Sequence, residues 1–92
     1  MSQPDFEVIR RVLDGETAAF ELLVRQYQQT IFRLALRMTR NAEDASDLTQ
    51  EACVQAYRSL AGFHGQSGFS TWLYRIAVNL CLNHLKAIRR ED

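Results

Sequence analysis

Residues 44–52, DASDLTQEA, contain no glycine or proline and predict the first half of a helix. At 3.6 residues per turn, Asp44, Asp47 and Glu51 share one face of this helix, with Gln50 beside them. Small and apolar residues occupy the opposite face, which continues beyond the stretch: Ala45, Leu48, Ala52, Ala56 and Leu60. The pattern therefore predicts a helix with one side in the core and one acidic side.

The acidic side has more negative charge than a helix needs for its own stability. Glu43 precedes Asp44, and no Lys or Arg interrupts the acids, although like charges at i+4 destabilise a helix by about 0.2–0.5 kcal/mol. The helix dipole and a cap at Asn41 account for Glu43 and Asp44. Asp47 and Glu51 lie beyond the first turn, so they either face solvent or bind a partner.

The composition indicates one small helical domain. A chain of 92 residues has room for one modest core. One proline and four glycines, three of them at positions 62, 65 and 68, leave little room for hairpins. We therefore expect an all-α fold, a compact bundle of three to four helices. The predicted helices cover residues 5–13, 16–39, 42–60 and 68–89.

The charges are unevenly distributed along a chain whose formal net charge is zero. Residues 52–90 contain no acid, and their bases are Arg58, Arg75, Lys86, Arg89 and Arg90. The acids are concentrated earlier in the chain. An acidic patch and a basic half are therefore expected on one molecule.

Several classes of site find no support in the sequence. Cys53 and Cys81 form no disulfide framework, and with His64 and His84 they lack the close ligand spacing of zinc sites. No apolar run is long enough to span a membrane, no secretory signal is present, and no catalytic triad, carboxylate dyad or P-loop is found. We expect a cytoplasmic protein without cofactor, metal or catalytic activity.

The last predicted helix carries a polar row beside its apolar stripe. The stripe contains Phe69, Leu73, Ile76, Ala77, Leu80 and Ile88. The row contains Trp72, Arg75, Asn79, Asn83, Lys86 and Arg90, at steps of three and four. Aromatic, arginine and amide side chains in file are typical of surfaces that bind bases and phosphates. A solvated polar face with one partly packed tryptophan is the alternative.

Three stretches, in order, resemble region 2 of a bacterial sigma factor of the extracytoplasmic-function (ECF) subfamily. Residues 47–52 and 55–58 resemble the region 2.2 signature, residues 63–69 the loop of region 2.3, and residues 70–79 the helix of regions 2.3–2.4. Residues 16–40 are similar to region 2.1, so the resemblance covers nearly all of the chain.

The resemblance implies two binding partners, core RNA polymerase and promoter DNA. Residues on the acidic face would dock on the clamp coiled coil of the polymerase β′ subunit: Asp44, Asp47, Gln50 and Glu51. The loop and last helix would bind the non-template strand of the −10 element and help to melt it. The candidate DNA-binding residues are Phe63, His64, Gly65, Gln66, Ser67, Trp72, Tyr74, Arg75, Asn79, Asn83, Lys86, Arg89 and Arg90.

Each of these roles has a physical reason. We expect Phe63, on a glycine-rich loop, to approach and stack on an unpaired base, and Lys86, Arg89 and Arg90 to contact phosphates. His64 and Gln66 lie in the loop to which the resemblance assigns base selection.

The sequence also departs from the subfamily pattern. Cys53 stands where a bulky apolar residue is expected, and the chain ends at Asp92, where region 2 ends. The second domain that reads the −35 element is absent, so we expect an excised domain that binds DNA weakly alone. The alternative function is an interaction module whose main partner is an anti-sigma regulator.

Overall fold

Four helices form the fold in a computed structural model, which describes residues 3–63, 65 and 68–91, without the side chains of residues 3, 4 and 91. The helices are α1 (Gln3–Leu13), α2 (Phe20–Thr39), α3 (Ala42–Ser59) and α4 (Phe69–Glu91). Short 3-10 turns precede α2 and follow α3, at Thr17–Ala19 and Leu60–Gly62. The prediction of an all-α bundle is confirmed. No helix in the described part of the chain is both long and apolar enough to cross a membrane.

A sharp reversal between α2 and α3 brings these two helices side by side. Arg40 has left-handed backbone angles (φ 56°, ψ 31°), and its N–H donates to the Leu36 carbonyl at 2.8 Å. Asn41 is extended, and its side-chain oxygen accepts a hydrogen bond of 3.0 Å from the Asp44 N–H. The predicted cap at Asn41 is therefore present, and it satisfies one of the free N–H groups at the start of α3.

The start of α2 differs from the prediction, which began this helix at residue 16. Gly15 has φ 110°, a backbone conformation that favours glycine, and it ends α1. Glu16 is not helical (φ −86°, ψ 69°), and its carboxylate pairs with the guanidinium of Arg11. The 3-10 turn then leads into α2 at Phe20. The predicted cap of α4, Ser67, lies outside the described residues.

The core forms where α2, α3 and α4 meet. The predicted inner face of α3 is buried throughout: Ala45, Leu48, Ala52 and Ala56, followed by Leu60. Leu23, Ile31 and Ala35 of α2 and Phe69, Leu73 and Ala77 of α4 are also buried. Ile88 was predicted in the stripe of α4 but is 41% exposed. It lies near the end of the longest helix, beyond the residues of α4 that pack in the core.

A hydrogen bond between Tyr27 and Asp5 connects α1 to the rest of the bundle. Asp5 is only 2% exposed, and its Oδ2 accepts a hydrogen bond of 2.5 Å from the Tyr27 hydroxyl. The Tyr27 ring also packs against Phe69 and Tyr74 of α4, with centroids 5.7 and 6.5 Å apart. Burial, together with the hydrogen bond and the negative charge of Asp5, raises the pKa of Tyr27 to about 12.

Tyr27→Phe is expected to lower the free energy of unfolding by about 1–3 kcal/mol, because it leaves the buried Asp5 carboxylate without its hydroxyl partner. Urea denaturation followed by circular dichroism measures the loss. Tyr57→Phe is the matched control, since Tyr57 is 42% exposed. Equal stability of the two variants would contradict the importance of this hydrogen bond.

The raised pKa of Tyr27 predicts a specific response to alkaline pH. Its pKa in the folded protein exceeds the ordinary value near 10, so the stabilising contribution is complete below pH 10. The contribution declines as the pH rises from 10 to 12, because the unfolded chain releases the proton first. An ultraviolet titration should show a tyrosine ionisation step near pH 12, and Tyr27→Phe should remove that step. A titration curve that Tyr27→Phe leaves unchanged near pH 12 would contradict it.

Candidate nucleic-acid and protein interfaces

The acidic outer face of α3 consists of exposed side chains. Asp47, Gln50 and Glu51 are all exposed, and within the described part of the chain neither carboxylate forms an ion pair. Asp44 differs from these three. It is half-buried, and its Oδ2 lies 3.1 Å from Nε2 of His84 on α4, where the ring N–H donates to the carboxylate. The accessible acidic face is therefore formed by Asp47, Gln50 and Glu51.

Two shallow grooves of about 560 and 520 Å³ run along the seam between α2 and α3, next to the acidic face. Val24, Gln50 and Cys53 line both grooves. The second groove is mainly apolar, and it ends at Val54 and Tyr57, which are 44% and 42% exposed. Sequence reasoning missed these two residues. They could have been recognised from the sequence, because they are apolar and lie outside the buried inner face of α3 that contains Ala45, Ala52 and Ala56.

The loop aromatic Phe63 lies inside the protein rather than on its surface. Phe63 is 7% exposed and packs against Trp72 and Phe69, with ring centroids 5.0 and 5.9 Å apart. Its N–H donates to the Leu60 carbonyl at 3.0 Å, which closes the turn after α3 and directs the ring toward the core. The expectation that Phe63 projects toward a base is therefore corrected. The half-buried Trp72 is the accessible aromatic of this cluster.

The outer face of α4 presents the predicted polar row. Trp72 stands near its start, and the side chains after it are exposed: Arg75, Asn79, Asn83, Lys86, Arg89 and Arg90. Tyr74 does not belong to this row. It is half-buried and makes an edge contact with Tyr27 of α2, so its ring supports the bundle.

Between Phe63 and the start of α4, the structure describes Gly65 and Gly68. His64, Gln66 and Ser67 lie outside the described residues, so their predicted roles stay predictions. Gly65 is exposed with φ 78°, and a Cβ there would lie 3.5 Å from Cε1 of Phe6. Phe6, at 48% exposure, is thus a neighbour of the loop that sequence reasoning missed.

Neither cysteine has the environment of a reactive thiol. Cys53 is half-buried and Cys81 is fully buried, and burial raises the pKa of both thiols. Both are therefore protonated at neutral pH and weakly nucleophilic. In the described residues, no three His, Cys, Asp or Glu side chains gather in a way that could hold a metal ion.

Comparison with known proteins supports the resemblance over the whole fold. A family model described as Sigma-70 region 2 matches residues 23–91. The RNA polymerase sigma-H factor of Pseudomonas aeruginosa is 47% identical over 89 residues, covering 97% of this chain and 46% of that protein. The ECF RNA polymerase sigma-E factor of Escherichia coli K12 is 46% identical over 87 residues, covering 95% of this chain and 45% of that protein. The chain spans about half the length of these relatives.

A solved structure is also similar over almost its full length. It is the NMR structure of an engineered region 2 of sigmaE in complex with GTAAAA. The TM-score is 0.86 at 43% sequence identity, and the match covers 99% of this chain and 97% of that one. Because the family model and close relatives agree over most of its sequence, the chain belongs to the Sigma-70 region 2 family.

Proposed function

We propose that this chain is the promoter-recognition module of an ECF sigma factor, which acts in the bacterial cytoplasm. It binds core RNA polymerase through α3 and captures bases of the non-template −10 strand through α4. The main support is the likeness to a region 2 structure in complex with GTAAAA. The half-buried Trp72 and the exposed Arg75 and Asn79 on α4 supply the aromatic, cationic and amide groups that such a ligand needs.

Base capture provides the free energy for melting. Extruding a base from duplex DNA costs a few kcal/mol, and stacking it on an aromatic side chain returns about 1–3 kcal/mol. Trp72 is the accessible aromatic, and Phe63 and Phe69 pack behind its ring at 5.0 and 5.7 Å. We assign Phe63 to this supporting position, where it holds Trp72 in place rather than stacking on a base itself.

The selection of particular bases and the binding of phosphates involve different residues. Asn79 and Asn83 are exposed amides that can hydrogen-bond to base edges. The loop residues His64, Gly65, Gln66 and Ser67 keep their proposed part in base selection. Lys86, Arg89 and Arg90 are exposed at the end of α4, where they supply the salt-dependent attraction to phosphates.

The acidic face of α3 and the grooves beside it suit a partner with basic and apolar side chains. Asp47 and Glu51 are exposed without a described base to pair with, so a partner's arginine or lysine can reach them. Val54 and Tyr57 offer apolar surface next to Gln50. We propose the clamp coiled coil of the polymerase β′ subunit as this partner.

An anti-sigma regulator is the second proposed partner. The exposed apolar groove ending at Val54 and Tyr57 adjoins the acidic face, so one protein could cover both. Such a regulator would exclude polymerase by occupying the same surface, and competition between the two would demonstrate it.

Asp47→Ala/Glu51→Ala is expected to weaken binding to a β′ clamp coiled-coil fragment at least about tenfold, because it removes two charges from the interface. Isothermal titration calorimetry measures the affinity. Glu7→Ala/Asp14→Ala is the control, since it removes two exposed acids from the region of α1. Unchanged binding by the α3 variant, or no binding by the folded wild type, would refute the proposal that the acidic face of α3 binds the β′ clamp coiled coil.

Asn79→Ala is expected to weaken binding of the single strand GTAAAA about tenfold, because it removes an exposed amide from the base-reading row. Fluorescence anisotropy with labelled hexamer measures the affinity. Gln28→Ala removes an amide from the α2–α3 groove and should leave binding unchanged. Equal affinities for Asn79→Ala and the wild type would place the strand elsewhere.

A further inference from the structure

An unexplained row of three arginines lies on the last turns of α2 and just beyond them. Arg33 and Arg37 are four residues apart and share one side of α2, and Arg40 follows in the left-handed turn just past the helix end. All three are exposed. We call them the arginine strip. The proposed function gives them no role in base capture or in polymerase binding by the acidic face of α3.

Among the described residues, the arginine strip has no internal partner. Elsewhere Arg25 pairs with Glu21 at 3.0 Å and Arg11 pairs with Glu16, but the described residues offer no hydrogen bond or ion pair to the three guanidinium groups of the strip. Interaction with the carboxyl end of the α2 dipole favours Arg37 and, less directly, Arg40. Arg33 lies farther back, and like charges at i+4 oppose the arrangement.

The strip lies at the same end of the bundle as the basic end of α4. α2 and α4 run in parallel, since Tyr27 packs on Phe69 and Tyr74 near their starts. Farther along, Ala35 and Met38 belong to a core cluster with Leu80 and Cys81.

The start of α3 is held at this end too, because Asp44 contacts His84 at 3.1 Å. That contact occupies the Asp44 carboxylate, and Glu43 is the exposed acid beside it. Lys86, Arg89 and Arg90 follow on α4, all exposed. The bases of the two helices therefore outnumber the described acids at this end.

We propose that the arginine strip binds the sugar-phosphate backbone of duplex DNA adjoining the captured −10 strand, together with the basic end of α4. This surface rests on the proposed function, because α4 must hold the strand for the duplex to lie beside it. The planar guanidinium group of arginine can donate two parallel hydrogen bonds to phosphate oxygens, and it remains charged at all relevant pH values.

The surroundings of the strip favour nucleic acid over an acidic protein. The exposed positions next to the strip include the polar Gln26, Gln29 and Thr30 and the apolar Leu36, which is 36% exposed. They include no aromatic residue, whereas the cores of protein interfaces are rich in aromatic residues. A duplex also suits two helices better than a single strand does. Packed helices lie about 8–10 Å apart, which is comparable with the groove widths of about 6–12 Å that separate two phosphate strands.

The test compares Arg33→Gln/Arg37→Gln/Arg40→Gln with wild type on two probes. One is the single strand GTAAAA, and the other is a fork that joins this strand to a duplex of about 10 base pairs, one helical turn. The variant should bind the fork at least about tenfold more weakly at about 0.1 M salt and bind the hexamer normally. Each lost phosphate contact reduces the slope of log K against log salt by about 0.9, so the fork slope should become shallower by about 2–3.

Arg10→Gln/Arg11→Gln/Arg25→Gln is the matched control, since it removes three exposed arginines from elsewhere. An equal loss of fork affinity in this control, or an unchanged fork slope in the strip variant, overturns the proposal. So does weaker binding of the β′ fragment with normal fork binding, which would assign the strip to an acidic protein. Failure of the wild type to bind the hexamer would instead refute the proposed function.

Discussion

Close packing along the alanine face of α3 is the constraint on which the rest of the structure depends. Ala45, Ala52 and Ala56 are 0% exposed, and their small side chains let α2 and α4 approach the helix closely. A larger side chain at any of these positions would overpack a core of limited size, at a cost of about 1–3 kcal/mol. The outer face of α3 is thereby directed to solvent, and the acidic residues follow from this orientation.

The same packing separates opposite charges onto different helices. Asp47 and Glu51 project from α3, while Arg75, Lys86 and Arg90 project from α4. Asp44 bridges the two helices through its contact with His84 at 3.1 Å. A chain with zero net charge can therefore carry an acidic surface and a basic one, which the proposed function assigns to a protein and to DNA. Distribution, rather than total charge, determines the partners that such a small domain can attract.

The helices and the core faces were largely predictable, because hydrophobic periodicity and capping are local properties. Asn41 was recognisable as a cap from its position before an acidic first turn, and the inner face of α3 followed from its spacing. The start of α2 was less predictable, since the 3-10 turn at Thr17–Ala19 has the composition of a helix. Ile88 matched the apolar period but lies past the point where other helices cover α4.

The positions of single side chains could not be predicted in the same way. Phe63 was expected to project because its neighbours are glycines, yet its ring fills the space beside Phe69 and Trp72. Tyr74 matched a DNA-binding position, which stays a prediction, and its edge contact with Tyr27 could not be foreseen from that match. Whether an aromatic lies in the core depends on which helices surround it, and a one-dimensional pattern does not contain that information.

The sequence by itself determined the helical class, the two charged faces and the family, because these depend on spacing and motifs along the chain. The tertiary structure decided which of these residues are accessible. It paired Asp44 with His84, buried Phe63 behind Trp72, and placed the arginines of α2 at the same end as the bases of α4. The physical reason is that burial and pairing arise from helix–helix contacts between residues far apart in sequence.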